Sequence, residues 1–464
     1  MLTTRTETLT DLLVQARAAY RAGDWHAAYT AFSRAGAIGP LPVDDLDAMA
    51  TAAWRVGHGR EAVRVAELVF IRLIRTDPNS AAMKAVEISR AWLSRGDLNI
   101  GRSWMGRARG LLGGAADGAA LGYLTYLDTV VAVRTDDVDV LAERSAALRE
   151  LSTRVEVPAL TALSLAAQAM SAIFGARTAE AYGLLDEAMP LLGEHVPLEW
   201  AGDVYGLVLH HGRRLADPAP LRAWTASMQQ WCDVTNTATY GGVCDVHRLQ
   251  RHDDGVDRRL GEDRLLAASR ALEEVNSWVA GEGYYRLGEV RRRRGDVDGA
   301  LAAFVKARSL GVEPQPGEAL LRCGRGEDEL AWTQLRAALA GADRLSRIRM
   351  LHGAVEIALA RDDLEEAQRY CRDLDAAAAT YRTPGFAAWA AHARGALLVR
   401  RGDHAEALTA LQSALEEYRA QQSSYEMAEV YEWMAPAHRG LGADADAAAD
   451  EAAAADIYRR LGSR

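Results

Sequence analysis

The sequence predicts an all-α protein: a right-handed, helical-repeat solenoid of about 12 stacked helix pairs running through residues 1–464. Two observations carry this. Ala, Leu, Glu and Arg dominate the periodic segments, a composition that favours helix, and the 40 glycines recur at intervals instead of clustering, as breakers between many short helices would. A third is negative: in 464 residues there is no Ser/Gly/Pro-rich linker and no low-complexity tract to divide separate globular domains.

The clearest unit runs from Tyr284 to Ala307. Leu287 and Gly288 share one face of a first helix, Gly295-Asp296 breaks it, and Ala300, Phe304 and Ala307 recur at helical spacing on a second. Small residues let the two helices cross closely, and Phe304 fills the space beyond the crossing. This pattern of Tyr284, Leu287, Gly288, Gly295, Ala300, Phe304 and Ala307 resembles the tetratricopeptide repeat. The same grammar returns at Gly23, Ala28, Phe32, Ala35; at Gly57, Ala62, Ala66, Val69; at Gly96, Gly101, Met105, Ala108; at Gly402, Ala407, Leu411, Ala414; and at Gly442 and Ala447.

Weaker turn anchors fall near Asp136, Ala176, Ala216, Gly255, Gly326 and Asp362, so that most turns lie 39 to 40 residues apart, against about 34 in the standard repeat. The extra residues imply helices of about 15 to 17 residues, each about 25 Å long. A single pair cannot bury its apolar face, so the pairs stack into one curved body whose ends are the least protected. It is either an open superhelix or curled into a near-ring around a closed cavity.

Two stretches break the rhythm. Gly311, Pro314, Pro316 and Gly317 fall inside a step shortened to 31 residues, from Gly295 to Gly326, so the first helix of that unit must be short and start after Pro316. In 232–263, Cys232, Cys244, His247 and His252 sit in a dense run of charges, and Gly261 competes with Gly255 as the turn. The chain therefore reads as N-terminal repeats (1–195), central repeats with a candidate binding groove (196–310) and C-terminal repeats that begin with a short irregular unit (311–464).

A net charge of -10 and a pI near 5.7 weigh against direct nucleic-acid binding, which needs a concentrated basic footprint. The run Arg291–Arg294 is an exception with an ordinary reading, cations at the negative end of a helix dipole, and an alternative one, a patch for a ligand or partner. The first residues carry Glu7 and Asp11 and lack the apolar core of a secretory signal, and no run of 18 apolar residues suggests a membrane span. Four cysteines in so long a chain suggest a reducing, cytoplasmic setting without disulfides. Cys232, Cys244, His247 and His252 invite a zinc reading, but only Cys244 and His247 share a helical face, and ordinary buried thiols account for them better. No cofactor is called for.

The segment from Trp278 to Gly295, with Gly311-Val-Glu-Pro-Gln-Pro-Gly-Glu-Ala-Leu-Leu321, resembles the tetratricopeptide sensor region of actinobacterial LuxR-type (MalT-like) transcriptional regulators. The resemblance extends through Tyr458-Arg-Arg-Leu-Gly462. It implies a regulatory, ligand-sensing solenoid. The helix-turn-helix and the nucleotide-binding module of such regulators are not seen in these 464 residues.

In this repeat the first helix of each pair lines the concave face. Counted back from Gly295, Glu282, Tyr285, Glu289 and Arg292 face inward. The same count gives Asp245, Leu249 and His252 in the preceding unit, and the helix before it offers His210, His211 and Arg213 downstream of Trp200. With Trp224, Trp231, Tyr240 and Trp278 nearby, the central third has the makeup of a ligand groove, in which aromatics supply apolar contact and Arg, Glu and His orient a polar group. The expected ligand-binding residues are Trp200, His210, His211, Arg213, Asp245, His252, Tyr285, Glu289 and Arg292. They predict a non-enzymatic recognition scaffold for a peptide, a protein segment or a small molecule. An oligomerisation scaffold, or an unusual enzyme using the central His/Arg/Glu cluster, is the alternative.

Overall fold

A computed structural model of the chain describes residues 8–113, 117–235, 238–249 and 258–462, with the side chains of 238–240, 248–249 and 258–260 left out. Among the described residues there are 24 helices and no strand. The first three hairpins are α1 (Leu9–Arg21) with α2 (Trp25–Ile38), α3 (Val43–Arg55) with α4 (Gly59–Leu73), and α5 (Pro78–Ser94) with α6 (Leu98–Leu112). The next three pair α7 (Ala119–Arg134) with α8 (Val138–Val155), α9 (Pro158–Phe174) with α10 (Thr178–His195), and α11 (Leu198–Arg214) with α12 (Pro218–Thr235). Then come α13 (Ala238–Leu249) with α14 (Arg258–Leu272), α15 (Ser277–Arg293) with α16 (Val297–Ser309), and α17 (Gly317–Cys323) with α18 (Asp328–Gly341). The last three are α19 (Arg344–Ala360) with α20 (Leu364–Tyr381), α21 (Pro384–Arg401) with α22 (His404–Gln421), and α23 (Ser424–Gly440) with α24 (Asp444–Leu461).

The hairpin turns follow the expected anchors. Gly23, Gly57, Gly96, Gly295, Gly326, Gly402 and Gly442 all have positive φ, and so do the non-glycine anchors Asp136, Ala176, Ala216 and Asp362. At every described hairpin turn the backbone thus passes through the left-handed region, with or without glycine. Gly255 lies outside the described residues, and Gly261 is helical, within α14.

Each turn hands over to an outer helix whose small residues face inward. Ala300, Phe304 and Ala307 of α16 are fully buried, and the Phe304 ring occupies the place where a Cβ on Gly288 would stand. That glycine is therefore required by the close crossing of α15 and α16. The long units have helices of 15 to 18 residues, as the 40-residue period implies. The short first helix after Pro316 is α17, of 7 residues.

Curvature arises because the two layers pack unequally. From α5 to α23 each odd-numbered helix packs on the next odd-numbered one, whereas among the even-numbered helices only α10 and α12 make comparable contact. A tight inner layer and a splayed outer layer bend the stack, and the bend is strong enough for distant repeats to meet. The Ser277 hydroxyl donates to the Arg95 carbonyl at 2.7 Å, Arg55 pairs with Glu199 at 2.8 Å, and the Gly385 amide donates to the Ala216 carbonyl at 2.9 Å. A Cβ at Gly385 would collide with Ala216, so the backbones of α21 and the α11–α12 turn touch directly.

One apolar cluster runs from Ala53 to Leu397. The first two pairs share a separate cluster, and the last two pairs hold two more. No described helix is long and apolar enough to cross a membrane.

Candidate functional site

The inner face is not an open wall. Side chains from odd-numbered helices of different repeats meet across the superhelix axis as ion pairs. Arg90 of α5 binds Asp203 of α11, and the Ser94 hydroxyl donates to the same carboxylate at 2.8 Å. Arg213 binds Glu282 of α15, which also has Arg349 of α19 at 3.8 Å. Arg214 binds Asp343, the N-cap of α19, and Ser346. Arg292 pairs with Glu289 at 3.0 Å and Arg293 with Glu426 at 2.9 Å. Such pairs gain little net stability, because desolvation offsets attraction, and all but Glu289–Arg292, which stand one turn apart on α15, join different repeats.

Where the pairing stops, a cavity of about 770 Å³ remains between α7, α11, α15, the α16–α17 turn, α18 and α19. Val133, Leu207, Trp278, Ala338 and Met350 give it apolar walls; Arg134, His210, His211, Arg214, Gln315 and Arg349 give it polar ones. The Trp278 ring stands edge-on to His210, with centroids 4.7 Å apart, and His210 is likewise edge-on to His211. Burial, then the neighbouring positive charges, holds both imidazoles far below the ordinary histidine range, so they are neutral near pH 7. Burial also lowers the Arg134 guanidinium, to about 10, and it stays charged.

The residues expected from sequence separate in the structure. His210 and His211 line the cavity. Trp200 is buried beside Tyr123 and Tyr126 and walls a neighbouring recess of about 180 Å³ with Trp54, Met83 and Lys84. Arg213 sits behind the cavity wall on Glu282. Tyr285 packs against Phe304 with the Arg349 guanidinium 5.3 Å from its ring, and Glu289 and Arg292 satisfy each other. Asp245 pairs with Arg264 at 3.3 Å, away from the cavity. His252 lies outside the described residues.

The Arg291–Arg294 run ends α15 as the dipole reading expects, and every member has a carboxylate partner: Glu262 for Arg291 and Arg294, Glu289 for Arg292, and Glu426 for Arg293. Cys232 and Cys244 are buried side by side, and the Cys244 thiol donates to the Gln229 side-chain oxygen at 3.0 Å. Among the described residues no group of three or more His, Cys, Asp or Glu side chains is placed to hold a metal ion.

Sequence reasoning missed Arg134, Arg214, Gln315 and Arg349. A signal for one of them, Arg349, was present. The positions thirteen, ten, six and three residues before each anchor, applied beyond Gly295, pick out Asp203, His210 and Arg213 before Ala216, and Arg349, His352 and Glu356 before Asp362. Arg134 and Arg214 both stand two residues before an anchor, at Asp136 and Ala216, one step off that count.

Fold and site together define a helical-repeat solenoid whose inner face holds a partly open cavity with both apolar and polar walls. No protein-family model matches the chain, and no curated protein matches it in sequence. Solved structures similar to it include the Rap protein complexed with competence and sporulation factor, at 12% identity over 82% of this chain and 98% of that one, with a TM-score of 0.44. Cut9 in the APC/C Cut9–Hcn1 hetero-tetramer has 16% identity over 99% and 91%, with a TM-score of 0.41. Yeast Tom70 has 13% identity over 97% and 96%, with a TM-score of 0.32.

Proposed function

We propose that the chain is a non-enzymatic recognition solenoid, and that it takes a small molecule or a short peptide end into the cavity at the superhelix axis. The observation that carries this reading is the cavity itself. Its volume of about 770 Å³ lies in the range of ligand sites, about 300 to 1,000 Å³, and it combines apolar walls with a few convergent polar groups as such sites do. Its walls come from helices far apart in sequence, so an occupant bridges several repeats and favours one curvature of the stack over another. A ligand can shift a conformational equilibrium only by its differential affinity for the two states, and contact with α7, α11, α15 and α19 at once supplies it. The likeness of Trp278–Gly295 and Gly311–Leu321 to the sensor region of LuxR-type regulators supports a sensory role, in which the occupied solenoid signals to a regulatory partner.

The test is a fragment library screened by saturation-transfer NMR against the full chain and against Gly341→Trp. Gly341 lines the cavity and a Cβ there meets nothing within 4 Å, so the indole enters open space. Fragments that bind the wild-type chain should be lost from the variant. An identical set of binders in both would rule out the cavity as the recognition site.

A further inference from the structure

The cavity lining carries four arginines against three carboxylates, Glu282, Glu313 and Asp343, and among the four only Arg134 has no ion pair. Four arginines line the space: Arg134, Arg214, Arg308 and Arg349. Arg214 is taken by Asp343, and Arg308 by Glu318 with Glu313 at 3.4 Å. Arg349 faces Glu282 at 3.8 Å and lies against the Tyr285 ring. Arg134 has neither an ion pair nor a hydrogen bond to any described residue. Asp203 attracts it from a distance, but Arg90 and Ser94 both hold the Oδ2 of that carboxylate and no ion pair to Arg134 forms. The guanidinium rests instead 5.9 Å from the centroid of Trp278, on the cavity wall.

Arg134 is half-buried at the cavity wall, and a cation with no ion pair in a partly desolvated site favours a counter-charge beside it. The histidines do not add to the excess, because burial keeps them neutral. Gln315 is 5% exposed, its side-chain oxygen accepts from the Ala319 amide, and its side-chain nitrogen has no partner at the wall of the same space. The Gln334 side-chain oxygen at the same wall is unpartnered as well, so the lining offers one free amide donor and one free amide acceptor, and it is the Arg134 cation that sets the charge of the occupant.

We propose that the ligand is a small organic monoanion, a carboxylate on a flat apolar body. Its carboxylate pairs with Arg134, and its body lies against Trp278, Leu207 and Met350. A guanidinium and a carboxylate match as parallel donors and acceptors, and one negative charge balances the lining where two would overshoot it. This assignment rests on the cavity being the recognition site.

The experiment is calorimetric titration of the full chain at fixed ionic strength with phenylacetate, indole-3-acetate and 3-phenylpropionate, with their three primary amides, and with phenyl phosphate. The acids are expected to bind at least tenfold more tightly than the matched amides. Arg134→Gln should remove that preference, and Arg134→Lys should keep part of it. If Arg134→Gln does not fold, the acid-to-amide ratio in the wild-type chain and its reduction in Arg134→Lys decide the matter.

Equal binding of acid and amide, an undiminished preference in Arg134→Gln, or tighter binding of phenyl phosphate than of the acids would each overturn the monoanion assignment. Binding by none of the seven probes would overturn it too. Any of these results leaves the cavity to be judged separately by the Gly341→Trp screen.

Discussion

Glu282 is the residue on which the inner face turns. It is 5% exposed, binds Arg213, and has Arg349 and His210 within 4 Å. Removing one partner of a buried pair is costlier than removing both, because the survivor keeps its charge in a poor solvent. Glu282→Ala should therefore lower unfolding free energy by about 3 to 5 kcal/mol, read from the urea midpoint at constant slope, and Arg213→Met combined with Glu282→Leu should recover most of that loss.

A second prediction at this scale concerns protons. His210, His211, His247 and His392 are all held well below the histidine range, by burial first. The unfolded chain takes up protons near pH 6.5 that the folded chain refuses, so each histidine withdraws stability as pH falls below that value, by up to about 1.4 kcal/mol per pH unit. Glu429 acts oppositely. Burial and the Glu356 charge hold its carboxyl up to about 8, so it adds stability as pH falls from 8 toward the ordinary carboxylate range. His352 is raised by Glu356 and the other carboxylates against its burial; its contribution is complete below pH 6.5 and is lost only as pH rises through the folded value. The net expectation is a lower urea midpoint at pH 5.5 than at pH 7, with a shallower decline in His392→Gln. A midpoint indifferent to pH would contradict it.

At the scale of the element, the hairpin turn was the most legible feature of the sequence. The reason is local: a left-handed residue between two helices leaves a mark in one position, and Gly23 through Gly442 show it. Asp136, Ala176, Ala216 and Asp362 were legible only through their period, since they adopt the same φ without the glycine that advertises it. A left-handed conformation costs an L-residue about 1 to 2 kcal/mol, part of which glycine returns through its more flexible unfolded chain. Ala176→Gly should thus raise stability by about 0.5 to 1 kcal/mol and Gly295→Ala lower it by a similar amount, both measured by chemical denaturation. A loss of stability in Ala176→Gly would mean that its methyl packs more usefully than its φ costs. Some cavity-lining positions, Glu282, His210 and Arg349, follow the count back from an anchor, whereas Arg134 and Arg214 stand one step off it. What the count could not supply is which inner face stands opposite which. That Arg90 meets Asp203, or that Arg134 meets no carboxylate, depends on the rotation accumulated over several repeats, a quantity spread across every interface and written at no single residue.

The whole molecule departs from a one-dimensional array because its turns touch. In an extended solenoid each repeat knows only its neighbours, and stability is a sum of local terms. Here the hydroxyl of Ser277 reaches Arg95, Gly385 reaches Ala216, and Arg293 reaches Glu426, so repeats distant in sequence hold one another. The apolar cluster from Ala53 to Leu397 spans the same region, while α1 and α2, and α22 to α24, belong to smaller clusters. Cooperative opening follows contact, so hydrogen exchange should divide along this line. Buried amides of α5 through α19 are expected to exchange with one shared free energy, close to that of global unfolding, and those of α1–α2 and α22–α24 with lower, separate values. Asp203→Asn, which weakens the contact between α5 and α11, should split the central unit and lower protection in α3 through α6 before α15. A gradient that falls smoothly from the middle repeats outward, unchanged by Asp203→Asn, would show that neighbour contacts alone set the stability and that the contacts across the axis contribute only shape.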